Sequence, residues 1–143
     1  MSSTFNSIQT GLMAALAANP ALAGGHITAN RLRPISASHS TAIVVRLDQT
    51  AGQEIVLGAM DWTTSYTVEC YARAAGGADP GAAVDQLLVD AWARLCAIDA
   101  ASIGAIDITM TPAIDWQYDD ADTPMVCALI RLAVQHRTLT TAI

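Results

Sequence analysis

The sequence predicts an α+β fold: two helices packed on one face of a mostly antiparallel sheet of about five strands, with mixed strand order left open. Three observations carry this. From Trp62 the even positions Trp62, Thr64, Tyr66, Val68, Cys70 and Ala72 alternate with Thr63, Ser65, Thr67, Glu69, Tyr71 and Arg73, the period of a strand with one buried and one mostly wet face. After a Gly-containing release at residues 74–78, Asp79 and Pro80 read as an N-cap and a first helical position. Val84, Leu87, Leu88, Ala91, Trp92 and Leu95 then recur at helical spacing as one apolar stripe. A half-buried strand followed by a striped helix is satisfied when the helix lies on the sheet.

The other elements follow in order. Thr4 is the expected cap of a first helix over residues 4–18, with Phe5, Ile8, Leu12, Ala15 and Leu16 on one side and Asn19-Pro20 ending it. A short strand is expected within 27–35, with Pro34 placing it at an edge, and residues 36–40 read as turn. Residues 42–47 form a strand through Ile43, Val45 and Leu47; residues 48–52 read as a hairpin connection and 54–57 as the return strand, before Gly58 breaks the pattern. Beyond a connection at 99–104, the even positions Ile106, Ile108, Met110, Ile114, Trp116 and Tyr118 predict a strand that Pro112 places at an edge or a bulge. Asp119, Asp120 and Asp122 with Pro124 form an acidic turn. The last strand covers 125–137: Val126, Ala128, Ile130, Leu132 and Val134 face the core, and Cys127, Leu129 and Ala133 share the other face with Arg131, Gln135 and Arg137. That half-polar face suits a strand that meets another subunit.

A chain of 143 residues is one domain. Its formal charge of -6 and pI of about 4.6 argue against a basic face for gripping phosphates. All seven cations are Arg, which fits an Ala-rich coding bias with 28 alanines. Those alanines also raise the mean hydropathy to +0.36 without any run near the roughly 20 apolar residues of a membrane span. Ser, Thr and Asn stand where a secretory signal carries cations, so no signal peptide and no membrane are expected. Cys70, Cys96 and Cys127 each sit in an apolar pattern and read as buried thiols of a cytoplasmic protein.

No nucleophile elbow, phosphate loop, dinucleotide fingerprint or zinc-protease motif is present. His26, His39 and His136 lie far apart in sequence without ligand spacing and are expected at the surface or an interface, so neither metal nor cofactor is expected. The aspartates of the acidic turn lack calcium-loop spacing and read as solvated carboxylates that complement a basic partner or keep DNA from sticking to a passage. Trp62, Trp92 and Trp116 default to the core, with one of them left as a subunit anchor. Tyr71, flanked by Glu69 and Arg73, makes a candidate interface patch.

The pattern Trp62-x-Thr64-x-Tyr66-x-Val68-Glu69-Cys70-Tyr71 resembles that of the tail terminator proteins of long-tailed phages, the lambda type in particular. The spacing from Ile43 to Trp62, the Asp/Pro-capped helix with an internal Trp, and the run from Ile114 through Trp116 and Tyr118 into Asp119, Asp120 and Asp122 extend the similarity over residues 43–137. The resemblance implies a structural protein and no enzyme: a homo-hexameric ring on the head-proximal end of the virion's tail, stopping the tail tube protein from adding and meeting the head-completion protein. DNA would pass through without specific binding. A ring needs heterologous contacts, for which Glu69, Tyr71, Arg73, Arg131 and Arg137 are candidates, with Asp119, Asp120 and Asp122 bordering the lumen. The rival readings are another tail-completion or head-tail connector protein, or a small cytoplasmic enzyme or ligand-binding domain with a pocket under Trp62 and Trp116.

Overall fold

Tyr66, Val68, Cys70 and Ala72 put four buried side chains on one face of a strand that continues for 15 residues, and the rest of the chain is arranged on either side of it. The computed structural model describes residues 2–30, 35–36, 38–74, 77–119 and 124–143. Its elements are α1 (Thr4–Ala17), β1 (Ile27–Ala29), β2 (Thr41–Val56), β3 (Ala59–Arg73), α2 (Pro80–Cys96), β4 (Asp107–Asp119) and β5 (Met125–Leu139). They form an α+β fold with a five-stranded sheet in the order β1-β2-β3-β5-β4, antiparallel throughout except where β1 runs parallel to β2. The helices lie on one face, α1 over β1 and β2 and α2 over β3 and β5.

The core is one layer between helices and sheet. Ile8, Leu12 and Leu16 of α1 and Val84, Leu87, Ala91 and Leu95 of α2 meet Ile43, Val45, Tyr66, Val68, Ile130, Leu132 and Val134. Tyr66, the largest fully buried side chain, donates its hydroxyl to Phe5 O at 2.7 Å, so burial of the ring leaves no polar atom stranded.

Two expectations about β2 are corrected. The reversal predicted at 48–52 does not occur, and the residues expected as a return strand at 54–57 continue β2 instead, which runs on to Val56 and turns at Leu57-Gly58, where Gly58 at φ +90 closes the tight loop. What interrupts the pattern is a bulge at Asp48, held by a hydrogen bond from Thr67 Oγ1. Before it the odd residues Ile43, Val45 and Leu47 share a face with Cys70, Val68 and Tyr66; after it Thr50 and Gly52 take that face beside Thr64 and Trp62. One extra residue inverts the parity of a strand, which resembles a strand ending when read at period two. At Gly52 an added Cβ would lie 2.6 Å from the Trp62 ring, so the missing side chain is what lets the indole lie across β2.

On β4 both readings of Pro112 hold. The strand is an edge, and its register slips between Met110 and Ile114, where β4 advances four residues against two on β5. Two extra residues preserve parity, so Ile108, Met110 and Ile114 still pack against the core.

The N-cap of α1 is Ser3, not Thr4: Ser3 Oγ accepts from Asn6 N at 3.4 Å. Asp79 caps α2 as expected, accepting from Gly81 N at 2.9 Å, with Pro80 following. The C-terminal end of α1 is held by Arg94 of α2, whose guanidinium donates to Leu16 O at 3.0 Å, Ala18 O at 2.7 Å and Pro20 O. A cation on the last carbonyls of a helix satisfies groups that have no intrahelical donor and opposes the negative end of the helix dipole. Replacing Arg94 with Met, which keeps the stem and removes the donors, is expected to lower unfolding free energy by about 2 kcal/mol. A urea midpoint unchanged from wild type would refute that assignment.

Candidate interface on the helix-free sheet face

With both helices on one side, the odd positions of β3 and β5 face a side that neither helix covers. All the described sequence-predicted interface residues lie there: Glu69, Tyr71 and Arg73 on β3, Arg131 and Arg137 on β5, and Asp119 at the end of β4. Asp120 and Asp122 lie outside the described residues. Arg73, Met125 and Asp119 share one cross-strand row, whereas Arg137 is twelve residues from that row along β5, about 40 Å away. The residues therefore form a strip and not a cluster.

The expectation that this face is mostly wet is corrected at its centre. Glu69 is only 4% exposed, in a row with the buried Val44 and Leu129. Its Oε1 lies 2.8 Å from Arg46 Nη2 and its Oε2 accepts from Tyr71 OH at 2.7 Å. The tyrosine is half-buried, and burial together with the neighbouring carboxylate raises its pKa. Cys127 packs alongside with its thiol pushed up to about 12, mainly by burial, and Cys70 on the opposite face is likewise raised to about 12. Neither is a thiolate at neutral pH. Cys96, expected to be buried, is exposed.

Arg73 is committed within the fold. It donates to Ile35 O at 2.8 Å and to His39 O at 3.2 Å, tying that segment to the sheet. Of the two outer pairs, Arg131–Asp115 is exposed on both sides, whereas Arg137 lies exposed over a buried Asp61. Arg131 pairs with Asp115 across β4 and β5. Arg137 grips Asp61 with two hydrogen bonds, Nε to Oδ1 at 2.5 Å and Nη2 to Oδ2 at 3.0 Å, and this contact holds the Asp61 carboxyl below its usual range. Arg46, Arg131 and Arg137 thus each meet a carboxylate on a neighbouring strand, leaving fixed pairs of opposite sign on one face.

Of the histidines, His26 is exposed as expected, and His136 is the one that departs from a surface position. His26 and His39, distant in sequence, stack at 3.5 Å with their planes 11° apart. His136 is fully buried under α1, its Nε2 3.1 Å from Thr64 Oγ1, which itself lies 2.9 Å from Thr50 Oγ1. Phe5 stands edge-on to both His136 and Trp62, at 5.1 and 5.2 Å, and Trp62 donates to Thr138 Oγ1 at 2.8 Å. Burial lowers the His136 pKa, so the neutral ring is the one the fold accepts.

Trp116 is also corrected from its default core role: it is 41% exposed, and Tyr118 is 61% exposed. Trp62 and Trp116 face His136 and Ala128, eight residues apart along β5 and so about 26 Å distant, which removes the single pocket that the rival ligand-binding reading places beneath both. Two open grooves of about 650 and 640 Å³ flank Arg94, but its guanidinium is already spent on backbone carbonyls. A third, of about 410 Å³, is lined by Leu88, Val89, Trp92, Ala93 and Ile114. Among the described residues no group of His, Cys, Asp and Glu is arranged to hold a metal ion, and no helix is long and apolar enough to cross a membrane.

No family model matches this chain, and no curated protein matches it.

The sequence passed over Arg46, Asp61 and Asp115, the partners that make this face a set of ion pairs. Their signal is positional: Asp61 and Arg137 are direct cross-strand partners, which becomes visible only once the register is known. Two outcomes follow. Glu69→Arg, which buries a second guanidinium beside Arg46, is expected to lower unfolding free energy by roughly 3 kcal/mol, whereas Arg131→Gln stays within about 0.5 kcal/mol; equal urea midpoints for the two variants would contradict this burial pattern. For His136 the folded pKa lies below that of the unfolded chain, so its contribution is complete above about pH 6.5 and is lost as pH falls below that value. Between pH 7 and 5, wild type should lose more stability than His136→Gln, as followed by thermal melts; parallel losses would refute it.

Proposed function

We propose that this chain is the tail terminator of a long-tailed phage, a ring-forming structural protein that caps the head-proximal end of the tail tube, stops tube polymerisation and provides the interface for head joining. The observation that carries the reading is where the terminator-like residues fall. The Trp62 to Tyr71 pattern is the central strand β3, and the aromatic run from Ile114 to Asp119 is the outer part of β4; both pair with β5 in one sheet. Their shared helix-free face carries the pairs Arg46–Glu69, Arg131–Asp115 and Arg137–Asp61. Charges held in pairs of opposite sign give orientation and partner choice more than raw affinity, which is what a subunit needs when it must add in one direction and then stop.

On this reading the partners are further copies of the chain in a homo-hexameric ring, the tail tube protein on one side and a head-completion protein on the other, and the site of action is the virion tail assembled in the host cytoplasm. The net charge of -6 disfavours a hold on DNA passing through the ring. Asp119 ends β4 on the helix-free face and is the described member of the acidic turn assigned to the lumen border.

The test is to add the purified chain to polymerising tail tube protein and measure tube lengths and end decoration by electron microscopy. The expected result is shortened tubes bearing one ring at one end, with DNA not retained by the rings at low salt. Tubes that grow to normal length with bare ends would overturn the terminator reading, and tight, salt-sensitive DNA retention would overturn the repelling lumen.

A further inference from the structure

The β2–β3 hairpin ends in an apolar tip. Ile55 and Val56 are exposed, Leu57 is 99% exposed, and Leu139 of β5, paired with Ala59 beside the tip, is exposed as well. Two-residue hairpin loops ordinarily carry Asn, Asp or Gly at such positions, and neighbouring apolar side chains offered to water together mark a contact surface. Elsewhere the same chain carries an apolar groove, open between α2 and the edge strand β4, with Leu88, Val89, Trp92 and Ala93 on one wall and Ile114 on the other. The exposed Trp116 and Tyr118 extend that wall along β4.

The tip cannot reach the groove of its own chain. Ile114 pairs with Ile130, and Ala59 at the base of the tip pairs with Leu139, so nine residues of β5 hold the two sites about 30 Å apart on one rigid sheet. Both halves of an apolar contact are therefore present on one chain, at places only two chains can bring together.

We propose that the hairpin tip of one copy, led by Leu57, seats in the α2–β4 groove of the next copy. Tip and groove are different surfaces, so the contact is heterologous, and repetition of it closes into a ring when the rotation allows. Each of Ile55, Val56 and Leu57 buries on the order of 100 Å², which leaves one contact well below the ~1,200 Å² of a stable pair. The contact is thus weak singly and persistent only when every copy both gives a tip and receives one. This deepens the ring reading and rests on it for closure.

The experiment uses the purified chain alone. Sedimentation velocity over a concentration series is combined with tryptophan emission, since Trp92 lines the groove and Trp116 borders it. Leu57→Asp and Val89→Asp both alter exposed positions, and circular dichroism checks their folding. Wild type is expected to associate with rising concentration and a blue-shifted emission, and each variant alone to stay monomeric. An equimolar mixture of the two variants, which retains a single intact tip and groove between two chains, should form a two-chain species and nothing larger, at a concentration at least tenfold above that needed by wild type. A wild type that stays monomeric at millimolar concentration, a Leu57→Asp variant that associates like wild type, or a mixture that remains monomeric at millimolar concentration each overturns the proposal. Loss confined to Val89→Asp gives the groove a different occupant and overturns it too. A chain that associates through this contact but leaves tail tubes uncapped keeps the contact and loses the terminator reading; one that caps tubes equally well after Leu57→Asp does the reverse.

Discussion

A five-stranded sheet with only two helices to cover it has one face to hide and one face that must look after itself, and this single-sided burial governs the rest of the structure. On the covered side the aliphatic rows of β2, β3 and β5 meet the stripes of α1 and α2, and the hydrophobic effect of that one layer supplies most of the stabilisation. On the other side Val44, Thr67, Cys127 and Leu129 are also buried, beneath no helix. There the sheet shields itself with long side chains laid across neighbouring strands, Arg46 over Glu69 and Tyr71 among them. Charged residues on such a face act as a cover before they act as a contact.

The covering helices are anchored by polar bonds at places where the chain changes direction. Gln9, buried in α1, donates to Val45 O at 2.8 Å and to Asn30 Oδ1 at 3.1 Å, while Asn30 accepts from Leu47 N at 2.9 Å. These bonds fasten the first helix to the point where β1 leaves β2. Arg94 fastens its C-terminal end to α2. A helix with apolar packing alone could slide along a flat sheet; fixed hydrogen bonds at its middle and at its C-terminal end select one position.

What could be read from the sequence was local and periodic. Asp79-Pro80 and the stripe from Val84 to Leu95 specify α2 within one segment, and the alternation from Trp62 to Ala72 specifies the covered face of β3. What could not be read depends on a second segment. The bulge at Asp48 is stabilised by Thr67, and Arg94 meets carbonyls more than seventy residues away. Glu69 looked solvent-facing because its neighbours in sequence are polar, yet its neighbours in space are Val44 and Leu129. Trp116 misled in the opposite sense: it keeps the parity of the core positions but stands on the edge strand β4, so correct facing did not mean burial. The interface residues were legible as one face, and their internal pairings were not.

The pairing of β3 with β5 also bears on how the chain acquires its structure. Arg73 pairs with Met125 and Ala59 with Leu139, so every bond of this central ladder closes a loop of at least fifty residues containing α2 and β4. Loop closure of that length is entropically unfavourable and is recovered only when many bonds form together. On a ribosome, β2 and β3 can pair as soon as both emerge, but β3 then presents an open edge and a half-covered apolar face until the last strand is made. The nascent hairpin is therefore the stage most exposed to association with other chains, and the arrival of β5 converts that edge into the middle of a sheet.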